Sequence, residues 1–227
     1  MTFELAVRLT EVMLGLALLQ QAAEHVRAEP WPHVARLALA ALLLSGWVSG
    51  PAIWGLLGAQ LWLLHRYQGP YNGGSDKMTL LILSILSLVH LAPDRFWQEM
   101  AFSYLALQLV LSYFVSGWVK LRNPAWRSGS ALVDVFALSA YPVSTAARRW
   151  ADRPNVLWLA SWSVIVLEVA FPLSLFHPIG LVCALGAMAV FHFGNAISFG
   201  LHRFFWIWLS AYPSLIWFQG RLLAVSG

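Results

Sequence analysis

Residues 96–120 read FWQEMAFSYLALQLVLSYFVSGWVK, the longest unbroken apolar run in the chain, and the run ends on a lysine, Lys120. As a helix it is long enough to cross the ~30 Å hydrocarbon core of a bilayer. The rest of the sequence has the same character. Of 227 residues, 59% are hydrophobic and 11% are charged, and the mean hydropathy is +0.67. A soluble domain carries about 25% charged residues, so this chain has too few polar side chains to cover a globular surface of its size. That excludes an ordinary cytosolic enzyme, a disordered protein and a nucleic-acid-binding domain. What remains is an all-α, polytopic helical bundle embedded in a lipid bilayer.

The flanking sequence divides into further apolar runs. Toward the N-terminus, a helix is expected over about 78–92, stopped by Pro93-Asp94, and residues 67–77 read as a loop rich in turn formers. Residues 36–66 would rise about 46 Å as one helix, so they read as two short helices joined at Gly50-Pro51, or as one tilted helix kinked there. Residues 23–35 hold Pro30 and Pro32 and read as a polar connection. The first run covers about 5–22. Glu4, Arg8 and Glu11 interrupt what would have to be the n- and h-regions of a signal peptide, so a cleavable one is not expected.

Toward the C-terminus, residues 121–154 are the most polar part of the chain, with Arg122, Arg127, Arg148, Arg149 and Arg153. Within them, 129–143 is moderately apolar around Asp134 and reads as an interfacial or re-entrant helix. Helices are expected over about 155–176 and 178–199, split at His177-Pro178, and a last one over 203–219. The sum is seven or eight membrane helices plus an interfacial one, in a single domain spanning residues 1–227. The net charge of +4 comes from basic residues in short connections, which report topology rather than nucleic acid. Arg27, Arg36, Arg66, Lys77, the arginines of 122–153 and Arg203 fall on one side of such a bundle, which the positive-inside rule makes cytoplasmic. The 13 Trp and 6 Tyr suit membrane interfaces. A single cysteine, Cys183, leaves no intramolecular disulfide and no cysteine metal site.

An ionisable group at membrane depth costs at least ~2.5 kcal/mol at a helix centre, which makes it a functional suspect. The deep ones are Glu11, His90, Glu168 and His192, with Gln60, Gln108 and Asn195 as polar companions. Each also has a structural reading. Lys120 can snorkel to the headgroups, Glu168 can donate a single interhelical hydrogen bond, and His90 sits near an interface. His192 and Asn195, three apart on one helical face, can pair across helices. Haem is disfavoured: His90 and His192 are the only candidate pair of axial ligands, and no motif supports them. No HExxH spacing suggests zinc.

Three segments carry a resemblance. The first is SYFVSGWVKLRNPAWRSGSAL, residues 112–132. The second is YNGGSD, residues 71–76. The third is LEVAFP, residues 167–172, followed by FHFGN, residues 191–195. In this order and spacing they resemble the horizontally transferred transmembrane (HTTM) domain, the membrane domain of the vitamin K-dependent gamma-carboxylase family, over nearly the whole chain. The resemblance implies a membrane enzyme, in a bacterial cytoplasmic membrane, that uses a vitamin K-like quinol or menaquinol, with oxygen, to modify a peptide or small molecule. It makes Lys120 the base that deprotonates the quinol. A lysine at the edge of hydrocarbon loses hydration, which disfavours its charged form and suits that task. Asn72, Gly73, Gly74, Asp76, Glu168, His192 and Asn195 are then expected to line the pocket, and Trp118 and Trp126 to flank the ring. The chain departs from the family at Gly73-Gly74, where the family's loop carries a histidine. The family's large lumenal C-terminal region has no counterpart in these residues. The family's site also faces the lumen, whereas the charge count puts Lys120 on the cytoplasmic side.

Two other classes fit the sequence. One is a non-catalytic membrane scaffold whose Arg122–Arg153 loop docks a soluble redox or maturation partner. The other is a transporter or electron-transfer subunit, for which the chain lacks internal repeats.

Overall fold

The computed structural model describes residues 1–27, 30–66, 73–139 and 144–226, and among these all regular structure is helical. Among the described residues, four helices are long and apolar enough to cross a membrane: Gly73–Leu91, Arg95–Arg122, Pro154–Phe176 and Pro178–Phe199. The residues cluster into two compact units. Unit 1 is Met1–Leu107 with Trp206–Gly227, and unit 2 is Gln108–Phe205.

Unit 1 is built from α1 (Phe3–His25), α2 (Pro30–Ser45), α3 (Ser49–Arg66), α4 (Gly73–Leu91), the first half of α5 (Arg95–Arg122), the end of α11 (His202–Ser210) and α12 (Tyr212–Ser226). Successive helices pack on one another from α1 to α4, and α1 also packs on α12. Leu14, Leu18, Leu43, Ile53, Leu56, Ile82, Leu83 and Leu86 form the apolar core. Phe3, Phe102 and Trp217 join α1, α5 and α12 as a ring cluster, with centroids 5.2 to 5.5 Å apart.

Several boundaries differ from the expected ones, each for a local reason. Pro30 and Pro32 do not interrupt a helix but begin one, because the first turn of a helix needs no N–H donors there. The break within 36–66 falls at Gly46–Val48, and Gly50-Pro51 belong to the first turn of α3. The expected loop over 67–77 is helical from Gly73 on, while its residues 67–72 lie outside the described ones. The expected helix 203–219 is divided at Ala211, with Pro213 in the first turn of α12, where its missing N–H is harmless.

Arg36 is the largest correction. Counted by sequence as a topology signal, it is 1% exposed. Its guanidinium donates to Gln21 Oε1 at 3.0 Å and to Gln60 Oε1 at 3.2 Å. Gln60 in turn donates to Asp76 Oδ1 at 3.4 Å. The chain of bonds ties α1, α2, α3 and α4 together and routes the arginine's charge toward a carboxylate. Arg8 does similar work from α1. It donates to the carbonyls of Leu43 at 2.8 Å and Leu44 at 2.5 Å, at the end of α2, where a helix has acceptors to spare and favours a cation.

Unit 2 is built from the second half of α5, α6 (Pro124–Ser128), α7 (Ser130–Leu138), α8 (Thr145–Arg148) with a 3₁₀ turn at Arg149–Asp152, α9 (Pro154–Ala170) continued as a 3₁₀ segment Phe171–Phe176, α10 (Pro178–Phe199) and the start of α11. The helix expected inside 129–143 is α7. The helices expected over 155–176 and 178–199 match α9 with its extension and α10.

Replacing Arg36 with methionine is expected to destabilise the protein by about 3 kcal/mol, since it leaves two buried amide oxygens without their charged donor. Thermal unfolding in detergent, run beside Arg66→Met on the exposed end of α3, measures the difference.

Candidate functional site

The resemblance segment 112–132 folds as the end of α5, the whole of α6 and the start of α7. Pro124 cannot donate to the helix ladder and biases the residue before it away from the α conformation. Asn123 accordingly sits at φ −88°, ψ 119°, and its side chain accepts a hydrogen bond from Ala125 N at 2.9 Å, capping α6. The α5 helix therefore stops at Arg122, with Lys120 in its last turn. Gly129, at φ 82°, is the hinge between α6 and α7. It lies against α9 so closely that a Cβ there would stand 2.7 Å from Trp158 Cα. Ser161 Oγ donates to Trp126 O at 2.5 Å, and Trp162 Nε1 donates to Arg127 O at 3.0 Å. These contacts hold α6, and with it the Trp126 ring, on α9.

Lys120 projects from α5 toward Glu168 of α9. Its Nζ donates to Glu168 Oε2 at 2.5 Å and to Ser116 Oγ at 2.6 Å, and Ser116 Oγ donates to Glu168 Oε1 at 3.3 Å. The lysine side chain is 14% exposed and the glutamate side chain 4%. Nζ also stands 5.2 Å from the centroid of the Trp126 ring, within the range of a cation–π contact. The ammonium thus has a carboxylate, a hydroxyl and an aromatic face around it.

Gly117 makes this approach of helices possible. A Cβ at that position would lie 2.7 Å from both Glu168 Cβ and Val169 N. Small residues allow such backbone contact between membrane helices. On the other side of the pair, Pro172 follows Glu168 by four residues and cannot donate to its carbonyl. The α9 helix changes to 3₁₀ geometry from Phe171.

One stripe of α5 carries the whole arrangement: Tyr113, Ser116, Gly117 and Lys120, at helical spacing. Tyr113 is buried and its hydroxyl is 3.0 Å from His192 Nε2 of α10. The Tyr113 ring also packs on Phe171, with centroids 4.5 Å apart, and His192 lies beside Phe204 at 5.0 Å. Asn195, one turn beyond His192, does not pair with it. It lines a cavity of about 460 Å³ together with Trp126, Asp134, Phe191 and Phe199. Trp126 is the residue common to the Lys120 pair and the cavity.

Of the residues singled out by sequence, Lys120, Glu168 and Trp126 meet directly. His192 is engaged with Tyr113, and Asn195 faces the cavity. Trp118 is 45% exposed and stacks on Phe114 at 6.2 Å, one turn away on the same helix. Gly73, Gly74 and Asp76 belong to unit 1, where they open α4 and Asp76 receives Gln60. Asn72 lies outside the described residues. Sequence reasoning missed Tyr113, Ser116 and Gly117, although their spacing from Lys120 was a readable signal. It also left Glu11 and His90 as separate suspects. They are partners: His90 Nε2 is 2.7 Å from Glu11 Oε1, while Arg8 and Ser49 donate to Glu11 Oε2 at 2.9 and 3.0 Å. Arg148 donates to the carbonyls of Ala137 and Ser139 at 2.7 and 3.4 Å, so it closes the end of α7.

Compared with known proteins, the chain matches no family, no curated protein and no solved structure.

Exchanging Gly117 for alanine is expected to cost about 1–3 kcal/mol, the usual penalty for overpacking, because the backbone of α9 cannot step aside as a side chain can. Gly186→Ala, at a site with nothing within 4 Å, is the control and leaves the unfolding temperature unchanged or slightly raised.

Proposed function

We propose that the chain is an HTTM-like, membrane-embedded enzyme that uses a quinol and oxygen to modify a peptide or small molecule, with the Lys120–Glu168 pair as its base. The observation that carries the reading is that pair itself, an ammonium and a carboxylate joined inside apolar helices with an indole face beside them. An ion pair at this depth is weak evidence for stability, since desolvation offsets much of its attraction, and intramembrane ionisable groups are functional suspects by default.

The residues suit a quinol. The indole offers a stacking face, the ammonium a donor for an oxygen, and the carboxylate an acceptor for a hydroxyl proton. A quinol supplies the acidic hydroxyl and the two electrons that reduce oxygen. Within the chain, Lys120 orients the oxygen of the hydroxyl through an N–H. The hydroxyl proton passes to the free lone pairs of Glu168, breaking one O–H bond and forming another. The Lys120 ammonium faces the negative charge left behind. The base expected from sequence is thus extended from a lone lysine to a lysine–carboxylate pair. Ser116 keeps both partners in register. In this reading α1, α2, α3 and the α11–α12 segment complete the expected seven or eight spans, in a bacterial cytoplasmic membrane.

Purified protein in nanodiscs with a reduced naphthoquinol is expected to take up oxygen. Lys120→Ala and Glu168→Gln are each expected to lower the rate about 10²-fold or more, the usual range for loss of a general base. Equal uptake by wild type and Lys120→Ala would remove the pair from the chemistry. A scaffold, by contrast, would tolerate Lys120→Ala and lose partner binding when Arg149 and Arg153 are neutralised.

A further inference from the structure

The cavity of unit 2 has a charge pattern that the base chemistry does not use. Its volume of about 460 Å³ falls in the range of small-molecule sites. Trp126, Phe191 and Phe199 give it aromatic walls, and Leu132, Val135 and Val164 extend the apolar lining. Among the described lining residues, one side chain is charged, Asp134, which is exposed. One is an amide, Asn195, which is half-buried. Among the described residues, Asp134 forms no ion pair, and neither Asp134 nor Asn195 makes a side-chain hydrogen bond.

The contrast within the molecule is direct. The larger cavity of unit 1 is also lined by carboxylates, Glu4 and Glu11, but each of them faces a guanidinium, of Arg95 and Arg8 respectively. That site is neutralised from within. In unit 2, an exposed carboxylate without a counter-ion among the described residues stands at the edge of an apolar space, so it repels an anion and attracts a cation there. Aromatic faces beside such a carboxylate add attraction for ammonium groups specifically.

We propose that this cavity binds an organic cation, an amphiphile with an ammonium head and an apolar body. The head donates hydrogen bonds to the Asp134 carboxylate and the Asn195 side-chain oxygen, and the body lies against Trp126, Phe191 and Phe199. An alcohol of the same length donates a single hydrogen bond and carries no charge, and a fatty acid is repelled. The inference concerns binding alone and stands whether or not Lys120 acts as a base.

The test is isothermal titration of hexadecylamine, hexadecanol and palmitate into the protein in phosphatidylcholine nanodiscs, with empty nanodiscs as the baseline. Saturable binding of the amine is expected, at least about tenfold tighter than that of the alcohol, with no binding of the acid. Asp134→Asn, an isosteric change at an exposed position, is expected to weaken amine binding to the level of the alcohol and to leave alcohol binding unchanged. Equal binding of amine and alcohol by the wild type overturns the proposal. So does undiminished amine binding by a folded Asp134→Asn, or uptake no greater than that of empty nanodiscs.

Discussion

Hydrocarbon gives a polar group no water to fall back on, so each polar group that enters apolar helices must bring its partner from within the protein. The Lys120–Glu168 pair is the sharpest case. Its 2.5 Å contact requires α5 and α9 to touch at the backbone, and that requires the absence of a side chain at Gly117. The same contact needs α5 to stop where Asn123-Pro124 stops it, two residues past the lysine. It also needs α6 to be held on α9 by Ser161 and Trp162, so that the Trp126 ring meets the ammonium. Helix ends, a close approach and a capped turn all serve one juxtaposition of charges.

The rule operates again in unit 1 with different chemistry. Arg36 donates to two amides, of Gln21 and Gln60, and Gln60 leads on to Asp76, so the charge faces a network rather than one contact. Glu11 is satisfied by three donors from three helices: Arg8 in its own, Ser49 in α3 and His90 in α4. Removing any one partner of such a set costs more than the net worth of the bond, because the remaining group keeps its desolvation penalty. Against this background Asp134 is the exception, a carboxylate that borders an apolar cavity with no partner among the described residues.

Much of the helical framework was legible in the chain. Among the described residues, four helices are long and apolar enough to cross a membrane, and Pro93 and His177-Pro178 announce helix ends because a missing N–H acts locally. The misread boundaries involve the same residue types. Pro30, Pro32, Pro51 and Pro213 all lie in first turns, where proline starts a helix instead of ending one, and that choice depends on where the previous helix stops. The candidate site was half legible. The stripe Tyr113, Ser116, Gly117, Lys120 follows from helical spacing in residues 96–120 alone. Its facing residue Glu168 lies 48 positions away, and nothing local says that the two meet.

Sequence alone determined that this is an all-helical chain of membrane character, that a lysine ends its longest apolar run, and that a glutamate lies within another. These are consequences of composition and short-range periodicity, which need no knowledge of neighbours. Only the tertiary structure decided which buried charges are partners. It paired Lys120 with Glu168 and His90 with Glu11, took Arg36 out of the surface count and into the core, and separated Trp118 from Trp126. Pairing depends on which helix faces lie together, and helix faces meet through side-chain volumes at positions far apart in the chain, such as Gly117 of α5 against Glu168 and Val169 of α9.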